Sequence, residues 1–145
     1  MSSNGFPNST RVSPNLFWTE MRCKDGTAYP SEWMFTRAVV LAEVFEHIRE
    51  LCGNKPIDVL SAFRTTEHNR TIGGAPNSQH VQGRALDLRP PAGFTVDRFY
   101  RLISEQVLPE GKVRGIGRYA TFVHVDTRPS ERLVRWTGAG QKDDR

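Results

Sequence analysis

Two histidines and an aspartate are the residues of this chain whose types and spacing point to chemistry: His80 and Asp87 in SQHVQGRALDL, and His124 in FVHVDT. Neutral imidazole and carboxylate both bind zinc, and catalytic zinc commonly takes three protein ligands so that a fourth position remains for water. The local patterns allow the three to converge. Gly83 lets the chain turn after His80, and in an extended segment from Arg84 to Leu88, Ala85 and Asp87 share one face while Leu86 and Leu88 take the other. In FVHVD the same alternation sends Val123 and Val125 to the core and aims Phe122, His124 and Asp126 at the opposite face. Each residue also has an ordinary reading: His80 as a surface histidine in a polar loop, Asp87 as an ion-pair partner of Arg84 or Arg89, His124 as a half-buried side chain with satisfied hydrogen bonds. Spacing alone leaves these open.

The elements that must position these residues follow from periodicity and punctuation. Ser31 follows Pro30 and can cap a helix whose apolar positions are Trp33, Val40, Leu41, Val44, Phe45, Ile48 and Leu51, with Gly53 as its stop. Ile57 to Phe63 reads as a buried strand, and Thr65 or Thr66 can cap a short helix through Ile72. The run from Gly73 to Ser78 is a loop, because glycine and proline punctuate it too heavily for regular structure. Arg84 to Leu88 is a short strand. Thr95 caps a second amphipathic helix with Phe99, Leu102, Ile103 and Val107 on one face, closed by Pro109 and Gly111. Strand patterns then cover Val113 to Ile116, Thr121 to Thr127 and Arg132 to Trp136. Strands and helices are segregated, so the expected class is α+β, a small antiparallel sheet with helices packed on it.

Composition bounds the rest. A chain of 145 residues with 37% hydrophobic and 25% charged residues fits one ordinary globular domain. Residues 1–15, rich in Ser, Asn and Pro, are expected to be a flexible arm, 16–137 the domain, and 138–145 a solvated tail. No stretch approaches the roughly 20 apolar residues of a membrane span, and the opening segment has no signal-like apolar run, so membrane insertion is not expected. The net charge of +4 comes from scattered basic residues without a recognition motif, which argues against nucleic acid as a partner. Cys23 and Cys52 make neither a disulfide framework nor a zinc-type spacing; they are expected as reduced thiols, with a single bridge left open. His47, mid-helix beside Glu46 and Glu50, reads as exposed, His68 and Glu67 as surface residues, and Trp18 and Trp33 as core.

The segments SAFRTTEHNRTIGGAPNSQHVQGRALDLR, GIGRY, FVHVDTR and a terminal RW, taken together, resemble the zinc D-alanyl-D-alanine carboxypeptidases and related murein endopeptidases, phage endolysins among them, which share a fold with the signalling domain of hedgehog proteins. The similarity runs from about Leu16 to Trp136. It implies one zinc ion per chain held by His80, Asp87 and His124, a substrate-binding arginine at Arg64 in an SxxR segment, and a substrate-side serine at Ser78. It also implies metal-assisted hydrolysis of D-amino-acid-containing peptides of cell-wall peptidoglycan by a monomer. The lytic relatives suggest an enzyme made in the cytoplasm that reaches the wall after release or on a virion; a binding module that keeps zinc without catalysis is the alternative. One part of the pattern does not transfer. The family's usual acid/base positions, three and two residues before the last ligand, hold Thr121 and Phe122, so the role is expected to pass to Asp126, with Glu67 or His68 as substitutes.

Overall fold

The structure, a computed structural model, describes residues 10–138. It opens with a hairpin of β1 (Arg11–Ser13) and β2 (Leu16–Phe17), followed by a short helix α1 (Trp18–Met21). The long helix α2 (Arg37–Leu51) comes next, then β3 (Val59–Ser61), α3 (Thr66–Thr71), β4 (Ala85–Leu88) and α4 (Val96–Gln106). Strands β5 (Gly115–Arg118), β6 (Val123–Asp126) and β7 (Val134–Thr137) complete the chain. Strands β3 to β7 form one five-stranded sheet in the order β3-β4-β6-β5-β7. The α+β class holds, and the sheet is antiparallel except at its edge, where β7 runs parallel to β5.

The folded body begins earlier than Leu16. Val12 is buried, and Glu46 of α2 grips the hairpin, accepting hydrogen bonds from Ser13 Oγ (2.6 Å), Asn15 N (2.7 Å) and Asn15 Nδ2 (2.8 Å). The polar residues that suggested an arm are therefore the ones that tie residues 11–15 down. The arm before residue 10 and most of the tail expected over 138–145 lie outside the described residues. Helix α2 likewise starts later than Ser31. Residues Ser31–Trp33 close a 3-10 turn instead, and Thr36 breaks from helical geometry (φ −123°, ψ −85°) before α2 begins. Trp33 explains the break: its ring packs edge-on against Tyr29 and Phe63 and lies under the Arg37 guanidinium, a position one straight helix from Ser31 need not reach.

Other boundaries follow local chemistry. Thr65 is the cap of α3, its Oγ1 accepting from His68 N at 3.0 Å, and Thr95 caps α4 by accepting from Arg98 N at 3.1 Å. Gly53 beyond α2 takes φ +79°, the left-handed geometry that a helix stop needs and that only glycine adopts without strain. His47 is half-buried and pairs through Nδ1 with Glu110 at 3.3 Å, while Glu46 is held by the hairpin. Cys23 and Cys52 are buried free thiols, and Trp18 and Trp33 pack against the core as expected.

The sheet separates two environments. On one face Leu86, Leu88, Ile116, Val123 and Val125 pack with Leu41, Val44, Phe45 and Ile48 of α2 and Phe99 and Ile103 of α4. Fully burying each such side chain stabilises the fold by roughly 1.5–3 kcal/mol. The other face carries what the core does not need, and the register lines it up. Ser61 pairs with Asp87, Asp87 with His124, His124 with Gly117 and Gly117 with Trp136, one row across all the strands. The neighbouring row is Ala85, Asp126, Gly115 and Val134.

Candidate metal centre

His80 comes from the loop before β4, Asp87 from β4 and His124 from β6. All three are buried, and their ligand atoms lie within 4.8 Å of one another. Asp87 Oδ1 is the hub, 3.1 Å from His80 Nε2 and 2.9 Å from His124 Nδ1. The partners on the far side of each imidazole decide what converges there. His80 Nδ1 donates to the Ala62 carbonyl (2.6 Å), which leaves Nε2 with its lone pair directed at Asp87. His124 Nε2 donates to Asp126 Oδ2 (2.7 Å), which leaves Nδ1 as its inward atom. Three electron-pair donors thus face one point, an arrangement that repels itself unless a cation or proton lies between them. Two imidazole nitrogens and one carboxylate oxygen are the donor set and number that suit zinc with an open fourth position.

The electrostatics agree. Burial would raise the Asp87 carboxyl, but His80 and His124 outweigh it and hold Asp87 far below the usual carboxylate range, so it is anionic. Burial depresses His80 more than Asp87 raises it, which keeps that imidazole neutral, the form that ligates. Burial also depresses His124, but its bonds to Asp126 and Asp87 win and raise it. In the absence of a metal, a proton on Nδ1 is what two flanking carboxylates would hold.

Arg64 is buried beside this centre and is no surface residue. It donates from Nε to Ser61 Oγ (3.2 Å), from Nη1 to Asn69 Oδ1 (3.0 Å) and from Nη2 to Asp87 Oδ2 (3.4 Å). Asp87 therefore pairs with Arg64 and not with Arg84 or Arg89; Arg89 reaches Asp58. Ser78 Oγ accepts from His80 N at 3.1 Å and so shapes the loop that presents the ligand. Arg64, Ser78, His80, Asp87, His124 and the loop from Gly73 to Gln79 line a cleft of about 410 Å³.

Asp126, the residue expected as the acid/base, is committed to other partners. It is fully buried and does not line the cleft; Oδ2 accepts from His124 Nε2 and from Arg128 Nη2 (2.8 Å), and Oδ1 from Arg128 Nε (2.8 Å) and Arg128 N (3.2 Å). Burial raises its carboxyl, yet Arg128 and His124 together hold it well below the usual range. Glu67 and His68, the substitutes, line a separate depression with Asp25, Arg70 and Thr71.

Several residues that sequence reasoning passed over complete the site. Trp136 lies against His124 with ring centroids 5.1 Å apart, and its Nε1 donates to Tyr119 Oη at 2.8 Å. Tyr119 in turn stacks on Phe122 at 4.5 Å, nearly parallel. Both Trp136 and Tyr119 line the cleft. The glycines of GIGRY make room: a Cβ on Gly115 would stand 2.4 Å from both Asp126 carboxylate oxygens, and one on Gly117 would stand 2.4 Å from Trp136 Nε1. The segments GIGRY and the terminal RW carried part of the family resemblance, but their place at the site was not readable, because β7 reaches it by a pairing that local pattern does not reveal.

Fold and donor set together define a protein with a His–Asp–His cluster able to hold a metal ion at the wall of a cleft. The sequence profile of the Peptidase M15 family matches residues 12–126, and the chain belongs to that family. It is also 41% identical over 51 residues, 35% of its length, to the zinc D-Ala-D-Ala carboxypeptidase of Streptomyces albus G; the match spans 20% of that protein.

Proposed function

We propose that this chain is a zinc peptidase that hydrolyses D-amino-acid-containing peptides of bacterial peptidoglycan, working as a monomer with a centre built from one chain. The observation that carries the proposal is the convergence of His80 Nε2, Asp87 Oδ1 and His124 Nδ1 beside a cleft that also exposes polar groups to a ligand. Zinc held there would act as a Lewis acid on the scissile carbonyl and lower the pKa of water from about 15.7 to about 7. The chain's own residues do the rest. Ala62 and Asp126 fix the two imidazole tautomers. The planar Arg64 guanidinium suits a substrate carbonyl or carboxylate, and Ser78 offers a hydroxyl on the same wall. Gln79 also lines the cleft, and its Oε1 is buried without a hydrogen-bond partner among the described residues. We assign proton handling to the Tyr119 hydroxyl, which lines the same cleft as the three candidate ligands and accepts a hydrogen bond from Trp136 Nε1.

The test is digestion of purified peptidoglycan, read by mass spectrometry alongside metal analysis of wild type, His80→Ala and His124→Ala. We expect peptide cleavage by wild type that a chelator stops, and loss of both activity and one zinc equivalent in each variant. Release of D-alanine alone would identify a carboxypeptidase; shortened stems or opened cross-links would identify an endopeptidase of lytic type. Binding to the wall with zinc retained and no cleavage by wild type would reject the enzyme in favour of the binding module.

A further inference from the structure

Cys23, Asp25 and His68 stand far apart in sequence, yet their sulfur, carboxylate oxygen and imidazole nitrogen lie within 4.8 Å of one another. We propose that they form a second cation site, separate from the His80–Asp87–His124 centre, which takes a thiophilic divalent ion of the zinc class. Thr65 organises the cluster. Its backbone N–H donates to Cys23 Sγ (3.4 Å), the contact that stabilises a sulfur about to carry negative charge. Its hydroxyl donates to Asp25 Oδ2 (2.9 Å) and accepts from His68 N (3.0 Å), which joins the carboxylate to the first turn of α3. A tight turn holds the other two donors: Cys23 N donates to the Thr27 carbonyl, Gly26 N to the Cys23 carbonyl, and Thr27 N to Asp25 Oδ1, all at 2.9 Å.

The chemistry of the donors selects the ion. Calcium and magnesium demand oxygen ligands, whereas one sulfur, one nitrogen and one oxygen suit zinc, cobalt or nickel. Cys23 is buried, but Asp25 is exposed and His68 half-buried, and the two face an open depression that gives an ion a way in. Binding exchanges the Cys23 thiol proton, released to solvent, for the cation. The site would brace the central cleft, because α3 also carries Asn69, whose Oδ1 accepts from Arg64, whose Nδ2 donates to the Ala75 carbonyl (2.8 Å) and whose carbonyl accepts from Gly74 N (2.8 Å).

Cobalt(II) separates the two sites, since a thiolate ligand gives an intense near-ultraviolet sulfur-to-cobalt charge-transfer band and the His–Asp–His centre has no sulfur. The full chain is stripped with chelator and titrated with cobalt(II). Two equivalents are expected, the band accompanying one of them. His68→Ala and Cys23→Ser should each lose the band and weaken that equivalent at least about tenfold while the other is retained; His80→Ala should do the reverse. Cys23 is a core residue, so His68→Ala carries the test without any cost to folding from the buried thiol. A single equivalent without the band, or a band that survives in Cys23→Ser and so belongs to Cys52, would overturn the proposal.

Discussion

The Asp126 carboxylate shows how much a side chain's partners can change a role read from its position. Strand alternation aims Asp126 at the same face as His124, and two vacant acid/base positions upstream made it the nearest candidate. Its oxygens, however, are committed to His124 Nε2 and to the Arg128 guanidinium and amide. We propose that it sets the His124 tautomer and ring orientation, a task whose loss typically costs about 10–100-fold in metal affinity or activity. Asp126→Asn should therefore bind zinc about 10–100-fold more weakly and regain much of its turnover when zinc is raised. Tyr119→Phe should do the opposite, keeping zinc affinity while losing roughly a hundredfold or more in rate at every zinc concentration. Zinc titration and turnover measured on both variants check the pair: an Asp126→Asn enzyme with full zinc and a rate that excess metal cannot restore would return the acid/base role to Asp126.

At the scale of elements, the site is a row of residues laid across strands by register, and this determines what could be read in advance. The alternation within β4 and β6 is local, so the face shared by Asp87 and His124 and the core-bearing face were legible from ALDL and VHVD alone. The caps at Thr65 and Thr95 were legible for the same reason. What lay beyond reach was long-range: Trp136 against His124, Cys23 beside His68, Glu46 holding the first hairpin. Each depends on which elements become neighbours, and no periodicity encodes that. The glycines of β5 mark the boundary between the two cases. Gly115 faces Asp126 across the β5–β6 ladder, and a methyl group there would stand 2.4 Å from carboxylate oxygens that Arg128 pins in place. The carboxylate cannot simply swing away. Gly115→Ala should displace Asp126, loosen His124 and weaken zinc binding about as much as Asp126→Asn does, although it touches neither ligand nor cleft. Calorimetric zinc titration of Gly115→Ala checks this, and wild-type affinity would mean that the strand yields and Asp126 does not.

For the whole molecule, the division of the sheet into an apolar face and a metal face implies that folding and metal binding are coupled only partly. The core formed by Leu86, Leu88, Ile116, Val123 and Val125 with α2 and α4 contains none of His80, Asp87 and His124, so the stripped protein should still fold. It should be less stable, because an ion that binds only the folded chain adds about 4 kcal/mol when present at about 1,000 times its Kd. For a domain of 145 residues, each kcal/mol moves the melting temperature by roughly 2–4 °C, so saturating zinc should raise it by about 10 °C. The measurement is best made in His68→Ala, where the Cys23 cluster cannot contribute. Chelated His68→Ala should melt cooperatively and shift upward with zinc, whereas the double variant His68→Ala with His80→Ala should melt at one temperature whether zinc is present or not. A chelated protein that shows no cooperative transition would mean that the metal face is needed for folding, as in a zinc finger, and that the apolar face cannot hold the sheet by itself.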